Sequence, residues 1–345
     1  MVLSNLGGAD AAIGSGSISE SVKPENHDRQ PGIPGGLVTS APGTARARTL
    51  ELRLLSSLLL VCLNGLASPG SAESAGIETH VAPGSSGSKP VSGRTVIPRM
   101  TSQAATNQAR VCAELCDMLP RVTLESAAYH DPKSPGKSLR YRLFTPGPLV
   151  PARTYPLALF LHGGGARQSF GDLLKCSSPV FSFGAARLVA PGEQARHPAF
   201  VLVPWSGGGS WDENTTPLLL ALLDALCREL PIDSKRLYVT GQSMGGYGTW
   251  RMITEHPDVF AAGIPVCGGG DTAAAPKAKH VPVWAFHGSA DGLVAVSETR
   301  RMIDALLRVG GKPIYWEYDG GTHAGTAERA YCEAELLDWL FTQSK

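Results

Sequence analysis

From about residue 122 onward, the chain alternates short apolar runs with longer segments whose apolar positions recur every three or four residues. The runs at 157–161, 200–203, 237–239, 261–266, 281–286 and 313–318 are too short and too uniformly apolar for surface helices. They predict strands buried on both faces. Two further strand-like stretches, 122–129 and 139–144, are joined through a turn containing Asp131-Pro132 and Pro135-Gly136. Helical spacing marks 217–230, 246–255, 298–309 and 328–341, and Pro231-Ile232-Asp233 stops the first of these before the next strand. About eight strands alternating with helices predict an α/β fold over 122–345, with a mostly parallel central sheet and helices on both faces. Such a sheet binds its ligand outside the carboxyl ends of the strands.

Upstream the pattern dissolves. Residues 1–48 are rich in Gly, Ser, Pro and Ala and predict disorder. A basic flank (Arg46, Arg48, Arg53), an apolar core at 54–63 and small residues Ala67, Gly70, Ser71 and Ala72 give 49–72 the plan of a secretory signal. Its distance from Met1 suggests a true start near Leu50. The expected location is secreted or periplasmic; the alternative is a cytoplasmic chain in which this run is a short buried or membrane-surface helix. Residues 73–121 read as a linker, Pro/Gly/Ser-rich to about 100, with one helix candidate at 101–119 presenting Val111, Leu115 and Met118 on one face.

Composition narrows the function class. Of 345 residues 43% are hydrophobic and 18% charged, and the net charge is +1, so no nucleic-acid partner is implied. No run of eighteen apolar residues occurs, and no membrane span is expected. The seven cysteines (Cys62, Cys112, Cys116, Cys176, Cys227, Cys267, Cys332) form no CxxC or zinc pattern.

The chemistry is concentrated at Gly241-Gln242-Ser243-Met244-Gly245, between an apolar run and a helix. Strand, Gly-x-Ser-x-Gly, helix is the nucleophile elbow of an α/β-hydrolase, which predicts that fold and a catalytic Ser243. Glycines are needed because a side chain at Gly241 or Gly245 would collide with the neighbouring strand or helix. A serine hydroxyl needs a histidine base, a carboxylate and oxyanion donors. In this fold the carboxylate and then the histidine follow the serine in the chain. Asp291, after the 281–286 run, and His323, in a Gly-rich loop after 313–318, are the expected pair. Asp319 is the runner-up carboxylate. His287 could compete as base, but a His-Gly pair ending a strand reads as a packing and turn element. His256 falls in the helix after the elbow, and His280 precedes a strand. Met244 N–H is the first expected oxyanion donor, and Gly164 the second, with Gly163 or Gly165 as alternatives.

The segments YRLFTP (141–146), LHGGG (161–165), YVTGQSMGGYGTW (238–250), WAFHGSAD (284–291), GTH (321–323) and LDWLF (337–341) carry a resemblance. Over 122–345 the chain resembles bacterial esterases/peptidases of the prolyl-oligopeptidase-like α/β-hydrolases, the phospholipase/carboxylesterase-like group. The resemblance implies a serine hydrolase acting on small-molecule carboxylic esters, with no cofactor and no metal, and it supports Ser243, Asp291 and His323 in their roles. Where the family often has an aromatic and then an acidic residue after the histidine, Ala324-Gly325-Thr326 stands, which alters the pocket wall. Trp205 and Trp211, flanking a Gly-rich insertion at 206–210, are expected to line the substrate cleft. Rival readings are a peptidase for short peptides, although no propeller-type repeat precedes the domain, a feruloyl or acetyl esterase acting on polysaccharide, and a non-catalytic module on the same fold.

Overall fold

A computed structural model describes residues 93–99, 106–107, 110, 113–115, 117–118, 122–167, 170 and 183–345. The expected disordered stretch 1–48 and the signal-like segment 49–72 lie outside the described residues.

Nine strands form one sheet: β1 Gly93–Ile97, β2 Glu125–His130, β3 Ser138–Phe144, β4 Tyr155–Leu161, β5 Phe200–Pro204, β6 Ile232–Gln242, β7 Ala262–Val266, β8 Trp284–Gly288 and β9 Ile314–Tyr318. Their order is β1-β9-β8-β7-β6-β4-β5-β3-β2. The β2–β3 and β3–β5 pairs are antiparallel, and every other pair is parallel. This is the expected α/β-hydrolase sheet with one strand more than the apolar runs suggested. The extra strand, β1, lies in the segment read as linker. Only every second residue of β1 is partly covered, and its partner β9 is more than two hundred residues away in the chain. Helical backbone at residues 106–107, 110, 113–115 and 117–118 agrees with the helix expected at 101–119, and Leu115 is buried.

The helices are α1 Phe183–Val189, α2 Pro191–Arg196, α3 Thr216–Glu229, α4 Met244–Glu255, α5 Ser297–Arg308, α6 His323–Cys332 and α7 Ala334–Phe341. The last two replace the single helix expected at 328–341. The break comes at Glu333, whose backbone is extended (φ −64°, ψ 127°), and α6 starts five residues earlier than expected. The short helices α1 and α2 had no clear periodic signal in the sequence.

Alternate residues of the central strands feed two cores, one on each face. Ala158, Phe160, Val201, Val203, Tyr238, Trp284 and Phe286 join the core beneath α1, α6 and α7. Leu157, Leu159, Leu161, Phe200, Leu202, Val239 and Ala285 join the core beneath α3, α4 and α5. Strands β4, β5, β7 and β8 are buried throughout, which is why their sequences run apolar instead of alternating. Of the two connections leaving the middle of the sheet, β4 leads to β5 on one side, and β6 leads through β7, β8 and β9 to the other. The crevice at this reversal of winding, between β4 and β6, is where an open α/β sheet binds ligand. Among the described residues no helix is long and apolar enough to cross a membrane.

Candidate active site

Ser243 stands between β6 and α4 with φ 56° and ψ −120°. A non-glycine residue in this region costs about 1–3 kcal/mol, so the surroundings must hold it there. Its N–H donates to Val266 O at 2.9 Å, and its carbonyl accepts from Tyr247 N at 3.0 Å. The glycines on either side are required by close approach. A Cβ on Gly241 would lie 2.5 Å from Leu161 O, and one on Gly245 would lie 1.9 Å from the same atom. Strand β4 therefore presses directly against the elbow, and the serine is lifted off the sheet edge.

The expected partners follow strands further along the same side of the sheet. Asp291 follows β8 and His323 follows β9. His323 Nδ1 lies 2.6 Å from Asp291 Oδ2, and the Asp291 side chain is fully buried. Asp291 Oδ1 accepts from the N–H groups of Leu293 and Val294, each at 2.9 Å. Burial by itself would raise the Asp291 pKa. Hydrogen bonds from His287, His323, Val294 and Leu293 outweigh it and hold the carboxyl well below the usual range, so it stays ionised. The two loops are locked together. Ala290 N donates to Gly321 O, Ser289 N to Tyr318 O, and Gly320 N to Ser289 Oγ. Gly288 and Gly321 touch so closely that a Cβ on Gly288 would stand 2.1 Å from Gly321 O. His323 is the first residue of α6, capped by the Thr322 hydroxyl, and not part of a free-swinging loop as the glycines around it suggested. Its carbonyl accepts from Cys267 Sγ at 3.8 Å, which ties His323 to the residue just after β7, next to the serine's own strand.

The expected oxyanion donors Met244 and Gly164 follow the ends of the adjacent strands β6 and β4. Met244 is the first residue of α4, so its N–H has no acceptor within the helix. The helix dipole adds favourable charge there. Leu161 pairs with Gly241 in the β4–β6 ladder, which carries the 162–165 loop alongside Ser243. His162 shapes that loop, a role the sequence reading had not assigned. Its Nε2 accepts from Ser206 N at 3.1 Å, so its proton is on Nδ1, which donates to Gly163 O at 2.8 Å. Burial is the main cause that lowers the His162 pKa to about 4, so the ring is neutral and acts as a fixed spacer.

The two expected cleft tryptophans separate. Trp205 lines a cleft of about 350 Å³ with Gly164, Arg167, Gly207 and Gly208. Its indole N–H donates to Ala166 O and Arg167 O. Trp211 does not line the cleft. It is 4% exposed, donates to His162 O at 3.0 Å and packs against Gly248. Its position two residues beyond the glycines gave no hint that the chain turns inward there. The runner-up Asp319 pairs with Arg99 at the surface, and His256 caps the end of α4. Cys267, His287 and Asp291 each bring a donor atom within 4.8 Å of the others. Asp291 is hydrogen-bonded to both His287 and His323 and interacts with Cys267. Cys227 and Cys267 lie outside any disulfide.

Comparison with known proteins agrees with this fold. A model of the prolyl oligopeptidase family matches residues 206–281, a span that includes the elbow. A solved thermostable esterase is 35% identical with a TM-score of 0.59, over 64% of this chain and 63% of its own. A bifunctional acetylxylan esterase/xylanase from Neocallimastix patriciarum is 33% identical over 100 residues, 27% of this chain and 15% of its own length. A Bacteroides ovatus protein provisionally described as a dipeptidyl aminopeptidase IV is 16% identical with a TM-score of 0.52, over 64% of this chain and 36% of its own, and shares the fold. The chain thus spans less than two thirds of the length of each. Fold and elbow are those of an α/β-hydrolase, and the matches liken the chain to the prolyl oligopeptidase family over residues 206–281 and to a solved esterase.

Proposed function

We propose that this protein is a serine hydrolase that cleaves carboxylic esters through an acyl-enzyme intermediate. The observation that carries the reading is the strained Ser243 at the end of β6, together with the 2.6 Å His323–Asp291 pair that follows β8 and β9 of the same sheet. In this reading His323 takes the Ser243 proton as Ser243 attacks the ester carbonyl. Asp291 steadies the imidazolium, and Met244 and Gly164 N–H groups stabilise the oxyanion. His323 then returns the proton to the leaving alcohol and activates the water that releases the acid. The thermostable esterase supports an ester substrate, whereas the prolyl oligopeptidase match leaves a short-peptide substrate as the second reading.

Within esters, an acyl group on polysaccharide, such as acetyl or feruloyl, gains support from the acetylxylan esterase relative. The signal-like segment at 49–72 supports a secreted or periplasmic location, and the mature N-terminus of the exported protein tests it.

The deciding experiment compares the full chain with Ser243→Ala on p-nitrophenyl esters of increasing chain length, acetylated xylan and short peptide anilides, alongside fluorophosphonate labelling. Ester turnover that falls by roughly 10⁴-fold or more in the variant, with loss of labelling, is the expected result. Equal turnover in both proteins refutes Ser243 as nucleophile, and anilide cleavage without ester cleavage selects the peptidase.

A further inference from the structure

His287 ends β8 and is completely buried, yet the reaction sequence above gives it no part. Its surroundings fix its protons. Nδ1 lies 2.8 Å from Thr299 Oγ1, and Thr299 Oγ1 lies 2.5 Å from Gly268 O. A hydroxyl has one proton, and the carbonyl can only accept, so the Thr299 proton belongs to Gly268 O and Nδ1 must donate to the hydroxyl. On the other side Nε2 faces Val294 O at 3.0 Å and Asp291 Oδ2 at 3.2 Å. Neither of these can donate while Asp291 is ionised, so Nε2 also carries a proton.

A ring with two N–H groups is an imidazolium. From this geometry we infer that His287 is a doubly protonated positioning residue that holds Asp291 from behind, so that one carboxylate oxygen serves two histidines, His287 and His323. The inference rests on the proposed Ser243–His323–Asp291 triad for its effect on catalysis, but not for the protonation of His287.

The arrangement has a chemical consequence. A buried charge is tolerated only when paired, and the imidazolium finds its pair in the Asp291 carboxylate. Asp291 then cannot turn away from His323, because Oδ2 is held by both rings and Oδ1 by two backbone N–H groups. Because both histidine nitrogens touch Oδ2, they lie within about 6 Å of each other. A positive charge that close opposes a second one on His323. Among the described residues Cys267, just after β7, and Tyr247 on α4 also interact with Asp291, and Glu298 on α5 faces Tyr247.

The test begins with the wild-type full chain labelled with ¹⁵N-histidine. At neutral pH its long-range ¹H–¹⁵N spectrum should contain one slowly exchanging histidine with protons on both nitrogens, absent in His287→Gln and perturbed in Thr299→Val. A single proton on His287 overturns the inference. In kinetics His287→Gln keeps a donor towards Asp291 but loses the charge. Its KM should hold, and the acidic limb of kcat/KM should move to higher pH by on the order of one unit. His287→Leu removes both donors and should lower kcat roughly 10- to 100-fold, with His287→Gln recovering most of that loss. A merely structural role would lower stability and leave the limb in place, so an unmoved limb in folded His287→Gln also refutes the proposal. If the wild-type chain hydrolyses no ester and takes no fluorophosphonate label, it is the triad that fails, and the spectrum still decides His287.

Discussion

One added methyl group at Gly245 tests the elbow more sharply than removal of the proposed nucleophile, because it leaves every proposed catalytic side chain in place. The new Cβ would stand 1.9 Å from Leu161 O and 2.7 Å from Leu161 C. An ordinary carbon–oxygen contact is about 3.2 Å or more, so roughly 1.3 Å must open between α4 and the end of β4. Neither side yields easily. Leu161 is fully buried and pairs with Gly241, and the next carbonyl, His162 O, is held by the Trp211 indole. Overpacking of this kind should cost about 3 kcal/mol. For a domain of this size that lowers Tm by roughly 6–12 °C. Whatever opening does occur moves the 162–165 loop away from Ser243, and a misplacement of about 1 Å should slow acylation roughly 10²-fold. Differential scanning fluorimetry and fluorophosphonate labelling rates read both effects. Gly164→Ala is the matched stability control, since a Cβ there meets nothing within 4 Å, and its Tm should stay within about 1 °C of wild type. A Gly245→Ala protein with unchanged Tm and labelling rate would refute the argument that glycine is there for close approach.

Asp291→Asn should fold yet lose roughly 10⁴-fold in kcat, because the amide can no longer fix the tautomer of His323, and steady-state ester hydrolysis would show it. Glu317 on β9 is buried and accepts from Arg300 twice, from Arg94 on β1 and from Tyr315. Burial would raise its pKa, but these donors lower it from 4.5 to about 2. A depressed carboxyl contributes stability that is complete above pH 4.5 and lost as pH falls through about 2. With two partly exposed arginines discounted for solvent, the contribution is about 2 kcal/mol. Urea unfolding of wild type and Glu317→Gln should therefore differ at pH 7 and converge near pH 2. Burial pushes the Cys267 thiol up, with the neighbouring Asp291 charge adding to it, so iodoacetamide should leave Cys267 untouched in the native protein and alkylate it after denaturation, as peptide mass mapping would record.

Much of the site is written locally. Runs such as Leu157–Leu161 and Val281–Phe286 can only be strands covered on both faces, and an α/β sheet with covered faces offers one edge for chemistry. Gly-x-Ser-x-Gly after such a run marks the turn, because only glycine tolerates β4 pressing on the elbow. The chain order Ser243, Asp291, His323 then follows the order of strands β6, β8 and β9. Other features depend on neighbours far away in the chain. β1 is a strand because β9 offers it an edge and Glu317 an ion pair, neither visible from five half-covered residues. Trp205 and Trp211 look alike in the sequence, and only folding sends one to the cleft and the other beneath His162. His323 starts a helix despite its glycine-rich flank, because Thr322 caps it and Gly321 packs on Gly288. The two protons of His287 were beyond any reading of the sequence. They are set by Thr299, Gly268, Val294 and Asp291, which meet around one ring only when β7, β8 and α5 are packed together.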